Sequence, residues 1–358
     1  MTTINRTAYP RPGERLTLEE LQVRYDLSDA DRAFIESSAS SSSGRLILAV
    51  MLKTRQVLGY FPALTDIPEA TIAHIVGLLG LSPASVNDVS RPTLYRYRSV
   101  IRAHLAVMPF DDAGERLVTD VVLKAAETMS DPADLINRAA EALHDAAIDL
   151  PAFSTLDRMV NHLRAKVHQE IYAGVAERLT QAEAAALDAL LVVPPDTITT
   201  PFNRLKQVPG PARLAMIKLW TDRLDWLDNL ADADMALSGI ASTKLRQFAA
   251  EATALEVSEL LDMALPGKRH TLLLSLLHHA RTRCRDELIE MFLRRIRRTQ
   301  ATAKENLDAL KDQHRELEES LIGVLGQVLD TAKDEEGDAV LGQRIRDLLI
   351  QKGGVDIL

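Results

Sequence analysis

Residues 44–59 read GRLILAVMLKTRQVLG. Between Arg45 and Leu58 apolar side chains fall on nearly every face of a helix, and Gly59 supplies a stop, so this stretch is expected to be a central helix buried all round. Such a helix needs other helices about it, and the rest of the chain agrees. Glycine is sparse, at 16 of 358 residues, and Leu and Ala recur at three- and four-residue steps with little apolar-polar alternation. The expected fold class is all-α: a multi-domain helical array with a helix-turn-helix-like N-terminal domain and a long-helix C-terminal bundle.

Working outward, the serine tract SSASSSSG at 37–44 cannot pack a core and reads as a flexible loop. Downstream, Asp66 with Glu69 reads as a capping box, Pro68 as a first-turn residue and Gly80 as the stop of a further helix. Ser82 and Pro83 open a short element. Ser90 and Pro92 open a helix expected to run to about Met108, before PFDD ends it. The stretch at 192–211, VVPPDTITTPFNRLKQVPGP, holds five prolines, which forbid a continuous helix and suggest a crossing between domains. From Leu288 a stripe runs through Phe292, Ile296, Thr299, Ala303, Leu307, Leu310, His314, Leu317, Leu321, Val324 and Val328 at three- and four-residue steps, the seam of a long helix packed on another. The expected division is 1–150, 151–265 with the proline-rich crossing, and 266–358 as the long-helix region.

Composition narrows the classes of function. The longest apolar run, LILAVML, is far short of the roughly twenty residues a membrane span needs. The N-terminal MTTINRTAYPRPGERL has no apolar signal core, so no membrane partner and a cytoplasmic location are expected. Cys284 is the lone cysteine, which excludes an internal disulfide and a multi-cysteine zinc site. No glycine-rich phosphate loop, dinucleotide fingerprint, nucleophile elbow or zinc-protease helix is present, and no cofactor or metal is expected.

The formal net charge is −9, but the charges are unevenly placed. No acid lies between Glu36 and Asp66, where Arg45, Lys53 and Arg55 stand, nor between Asp88 and Asp111, where Arg91, Arg96, Arg98 and Arg102 stand. On a helix Arg91, Tyr95, Arg98 and Arg102 share one face, and Leu94, Tyr97, Ile101, His104 and Met108 share the neighbouring one. Guanidinium forks and a tyrosine on one face suit duplex DNA, and they equally suit a solvated amphipathic surface. A second group, Arg281, Arg283, Arg285, Arg294, Arg295, Arg297 and Arg298, is interleaved with Asp286, Glu287 and Glu290 and reads as helical salt pairs. His278, His279 and Cys284 have poor spacing for a shared metal.

The order of segments adds what composition leaves open. The run GRLILAVMLKTRQVLGYFPALTDIPEATIAHIVGLLGL, then TLYRYRSVIRAHL, LPAFSTLDRMVNHLR, NRLKQVPGPARLAMIKLWTDRLDWLDNL and KRHTLLLSLLHHARTRCRDELIEMFLRRIRRTQATAKENLDALKDQ, resembles the N-terminal region of the replicative transposases of the Tn-three (gamma-delta) family. The resemblance implies N-terminal helical domains that bind the terminal inverted repeats of a transposon, with the chemistry in a later RNase H-like domain whose acidic triad has no counterpart here. It implies Arg91, Tyr95, Arg96, Arg98 and Arg102 as DNA contacts, with Lys53 and Arg55 ahead of GYFP, and Arg45, behind them. The expected partner is double-stranded DNA, and the chain is expected not to be an enzyme as it stands. A homodimer, or a heterodimer with a full-length transposase, is the accompanying expectation. The alternative is a helical scaffold or dimerisation protein that acts as a truncated inhibitor.

Overall fold

The computed structural model describes residues 4–12, 16–81, 90–195, 197–230, 233–331 and 337–351. All regular elements among them are helices, joined in one place by an isolated parallel bridge between Met108 and Ile148. The chain divides into two compact units, residues 1–207 with 227–281, and residues 208–226 with 282–358.

In the first unit, α1 (Leu18–Tyr25), α2 (Asp29–Ser38), α3 (Ser42–Leu58), α4 (Glu69–Leu79) and α5 (Arg91–Leu105) share one core. Leu46 to Leu52 of α3 are buried without interruption, which confirms the central helix. Each large apolar side chain enclosed this way contributes about 1.5–3 kcal/mol. The serine tract is not a loop. Ser37 and Ser38 end α2, and Ser41 is the N-cap of α3, its hydroxyl accepting from the Gly44 amide at 3.1 Å. Hydroxyls at a helix start satisfy amides that the helix itself leaves unpaired, so the tract divides between two helix ends. Gly44 is required there, because a Cβ would lie 2.6 Å from the Tyr97 hydroxyl of α5. Gly59 ends α3 at φ 76°, the left-handed conformation that glycine adopts without strain.

Two other expectations in this region change. Asp66 lies in a 3-10 turn, Leu64–Asp66, and α4 starts after Pro68 with no side-chain cap, so the Asp66–Glu69 box is not formed. Capping boxes form instead at Thr17–Glu20, Ser28–Asp31 and Thr180–Glu183. The element at Ser82 and Pro83 lies outside the described residues. α5 ends at Leu105 rather than Met108, because Ala106 turns left-handed and the Val107 amide bonds back to Arg102 O at 3.0 Å. Met108 is thereby freed to exchange backbone hydrogen bonds with Ala147 and Asp149. His104 stacks on Phe34, ring centroids 4.0 Å apart.

A second core joins α6 (Asp112–Ala126), α7 (Pro132–Asp145) and α8 (Phe153–Arg178), with Tyr9 from the N-terminal segment inserted among them. The Tyr9 hydroxyl donates to Pro151 O. α9 (Gln181–Ala189) leads into the proline-rich crossing, which is ordered around α10 (Pro201–Leu205): Phe202 is buried and its amide donates to Leu190 O at 2.9 Å. After α11 (Leu214–Asp228) and α12 (Ala233–Ala236) comes α13 (Ser242–Ala254). Its fully buried Lys244 donates to Met129 O and Ser130 Oγ in the segment between α6 and α7, both at 2.6 Å. Burial pulls the Lys244 ammonium down to about 8, with a further contribution from Arg164. α14 (Val257–Leu261) precedes α15 (Pro266–Thr331), and α16 (Asp338–Gln351) follows it.

In the second unit, Trp220 of α11 donates its indole N–H to Glu287 of α15 at 2.8 Å, and Cys284 is buried with its Sγ 3.5 Å from Trp220 O. The long helix expected from the sequence is present. Its stripe is exposed at Phe292, Ile296, Leu307, Leu310, Leu317 and Leu321, so among the described residues nothing covers it there. The spacing identifies an apolar face correctly, but whether a neighbour covers that face is not a property of spacing.

Candidate nucleic-acid interface

α5 presents two faces. Tyr97 and Ile101 point into the first core with Leu94 half-buried beside them, while Arg91, Tyr95 and Arg96 are exposed. Tyr95 is 74% exposed, high for an aromatic ring of that size. The Arg96 guanidinium lies 5.3 Å from the centroid of the Tyr97 ring. Neither Arg91 nor Arg96 has an acidic partner among the described residues.

The other two arginines of α5 are held in place. Their guanidinium groups lie 5.7 Å (Arg98) and 5.3 Å (Arg102) from the centroid of Phe61, which stands in the segment after Gly59. Cations over an aromatic face are attracted by its quadrupole, and a half-buried ring also stiffens the side chains stacked on it. Arg98 Nε is buried and makes no hydrogen bond among the described residues. Arg102 Nε instead donates to Asp149 Oδ2 at 2.7 Å, and Arg55 Nε donates to Asp149 Oδ1 at 2.6 Å. One buried carboxylate thus ties α3 and α5 to the segment between α7 and α8. The same segment is pinned through its backbone, where the Leu150 amide donates to Gly59 O at 3.0 Å.

Lys53 is also turned inward. Its Nζ lies 3.4 Å from Asp31 Oδ2. Burial works to raise the Asp31 carboxyl, but hydrogen bonds from Gln56 and Ser28 and the charge of Lys53 outweigh it and hold Asp31 below its ordinary range. Arg45 is half-buried, with Nε donating to Ala39 O at 3.0 Å.

The eight residues singled out in the sequence therefore separate into two groups. Arg91, Tyr95, Arg96 and Arg98 gather on the outer side of α5. Lys53, Arg55 and Arg102 are engaged in ion pairs within the protein, and Arg45 bonds a backbone carbonyl. Asp149 and Phe61 escaped the sequence reading. Asp149 is 94 residues from one of its partners, and no local pattern marks it. Phe61 carried a weak signal, since it stands two residues after Gly59, the stop of the central helix, within GYFP.

Among the described residues no three His, Cys, Asp or Glu side chains gather as a metal would need, and no helix is long and apolar enough to cross a membrane. What the α5 surface offers chemically is a set of guanidinium donors around an exposed tyrosine, an arrangement suited to phosphate oxygens.

Comparison with known proteins gives this surface its context. Residues 1–163 match the family model described as a domain of unknown function, DUF4158. The transposase for transposon Tn1546 of Enterococcus faecium is 24% identical over 303 residues, which cover 82% of this chain and 30% of that transposase. The transposase for transposon Tn501 of Pseudomonas aeruginosa is 26% identical over 204 residues, or 55% of this chain and 20% of the relative. The transposase for transposon gamma-delta of Escherichia coli (strain K12) is 25% identical over 245 residues, or 64% and 24%. The chain is similar to the N-terminal region of Tn-three-type transposases, and it spans less than a third of the length of these relatives.

Proposed function

We propose that this chain is the DNA-binding N-terminal part of a transposase, acting in the cytoplasm on the terminal inverted repeats of a transposon. Residues 1–150 would carry the contact as a helix-turn-helix-like domain. Strand cutting and joining would belong to a part of the protein outside the aligned stretch. The observation that carries this reading is the group of arginines on α5, Arg91, Arg96 and Arg98, whose guanidinium groups have no acidic partner among the described residues and which flank an exposed Tyr95. Kinship with transposases makes DNA the polyanion of choice.

The test is fluorescence anisotropy of the chain with a labelled repeat duplex and a scrambled duplex of equal length, over a salt series. Specific binding is expected to favour the repeat by about a hundredfold or more. The variant Arg91→Gln/Arg96→Gln/Arg98→Gln should weaken binding and flatten the salt dependence by roughly 0.9 in log-log slope for each phosphate no longer neutralised. Unaltered binding by this variant would remove α5 as the contact surface. A second reading, a helical scaffold that pairs chains, is favoured by the exposed stripe of α15. Light scattering separates the two, since a monomer that binds the repeat eliminates the scaffold.

A further inference from the structure

The second basic group of the sequence does not behave as uniform salt pairing. Arg283 pairs with Glu287 and Arg294 pairs with Glu290, each at 2.7 Å and one helical turn apart. Beyond Glu290 the next acid is Glu305, and the residues between them include Arg294, Arg295, Arg297, Arg298 and Lys304. Arg295, Arg297 and Arg298 are exposed and have no partner among the described residues. Arg283 and Arg294 each pair with an acid one turn away, whereas no acid lies within one turn of Arg295, Arg297 or Arg298.

The cations occupy one side. Arg294, Arg297, Arg298 and Lys304 are related by steps of three, four and seven, with Arg295 beside them, while Ile289, Phe292, Ile296, Ala303 and Leu307 take the opposite side. The basic side contains no large apolar residue, whereas a protein interface is depleted of charge at its centre and anchored by aromatic or aliphatic side chains. Thr302 and Ala301 fill the gaps between the cations. From Arg294 to Lys304 the helix rises about 15 Å, a length over which duplex DNA displays roughly nine phosphate charges.

We propose that the basic side of α15 between Arg294 and Lys304 is a second contact surface for duplex DNA, directed at the phosphate backbone and indifferent to sequence. This inference rests on the DNA-binding reading above and assigns it a second element, in the second unit of the chain. Specific protein-DNA interfaces exceed what a single helix can cover, and a sequence-indifferent contact would add affinity without altering which site is chosen.

The experiment compares the whole chain with Arg295→Gln/Arg297→Gln/Arg298→Gln and with Arg295→Lys/Arg297→Lys/Arg298→Lys, on repeat and scrambled duplexes over a salt series. Far-UV circular dichroism confirms that the helix is retained. The glutamine variant is expected to lose affinity for both duplexes by the same factor, with a salt slope smaller by roughly 2–3, and the lysine variant is expected to keep the wild-type slope. A glutamine variant with the wild-type slope would overturn the proposal while leaving the α5 reading intact. A wild-type chain that binds neither duplex would overturn both. Sedimentation with phosphatidylserine-phosphatidylcholine vesicles covers the other anionic surface: a charge-dependent loss of vesicle binding, with an unaltered DNA slope, would assign the face to membranes and overturn the proposal.

Discussion

Leu46 to Leu52 on α3 and Phe292 to Leu321 on α15 are both apolar helical surfaces, yet the first is enclosed by α1, α2, α4 and α5 and the second faces solvent. The same contrast holds for their cations. Lys53 and Arg55, in the last turns of α3, are buried against Asp31 and Asp149, whereas Arg295, Arg297 and Arg298 on α15 stand free. The difference teaches that a basic residue beside a core stripe becomes part of the core's polar bracing when an acid from another element reaches it. Without one, it remains available to a ligand. Net charge along the chain does not distinguish the two cases.

The largest expected effect comes from removing that bracing. Asp149→Ala leaves the buried Arg55 and the half-buried Arg102 without their carboxylate, and should cost about 3–5 kcal/mol of stability, measured by urea unfolding. A loss under about 1 kcal/mol would mean that the bracing contributes little and that the contrast between the two helices lies in apolar packing alone. Next is the packing itself. Leu48→Ala in α3 should cost about 2–5 kcal/mol, while Leu310→Ala in α15 should fall within about 0.5 kcal/mol of wild type. Equal losses at the two positions would show that the α15 stripe is covered in solution.

The smallest effect concerns His168 of α8, which stands among cations from α8, α13 and α15. Burial lowers His168 to about 4, helped by the nearby charges of Lys244, Arg164 and Lys268. The unfolded chain then binds a proton near pH 6.5 that the folded chain refuses until about pH 4, so stability should fall as pH drops through that window. His168→Gln should remove that part of the dependence, read as a flatter plot of urea midpoint against pH. An unaltered plot would show that His168 is solvated enough to titrate normally.

Much of the helical architecture was legible because it is local. The buried α3 and its stop at Gly59 follow from the apolar run and a single glycine, and Gly80 ends α4 in the same way. The serine tract misled because composition alone does not reveal that a hydroxyl at Ser41 meets the Gly44 amide. The Asp66–Glu69 pair had the right spacing for a cap, but Pro68 placed the helix start after it. At the candidate interface, helical periodicity sorted α5 into inner and outer faces, while the commitments of Arg55 and Arg102 depended on Asp149, which only the tertiary fold brings near.

Cys284 gives the second unit a built-in reporter. As the chain's single thiol, buried where α11 meets α15 beside Trp220, it reacts with an alkylating reagent only when that packing opens. Its labelling rate in native buffer therefore times local breathing of this unit separately from global unfolding, and it does so in the unmodified protein.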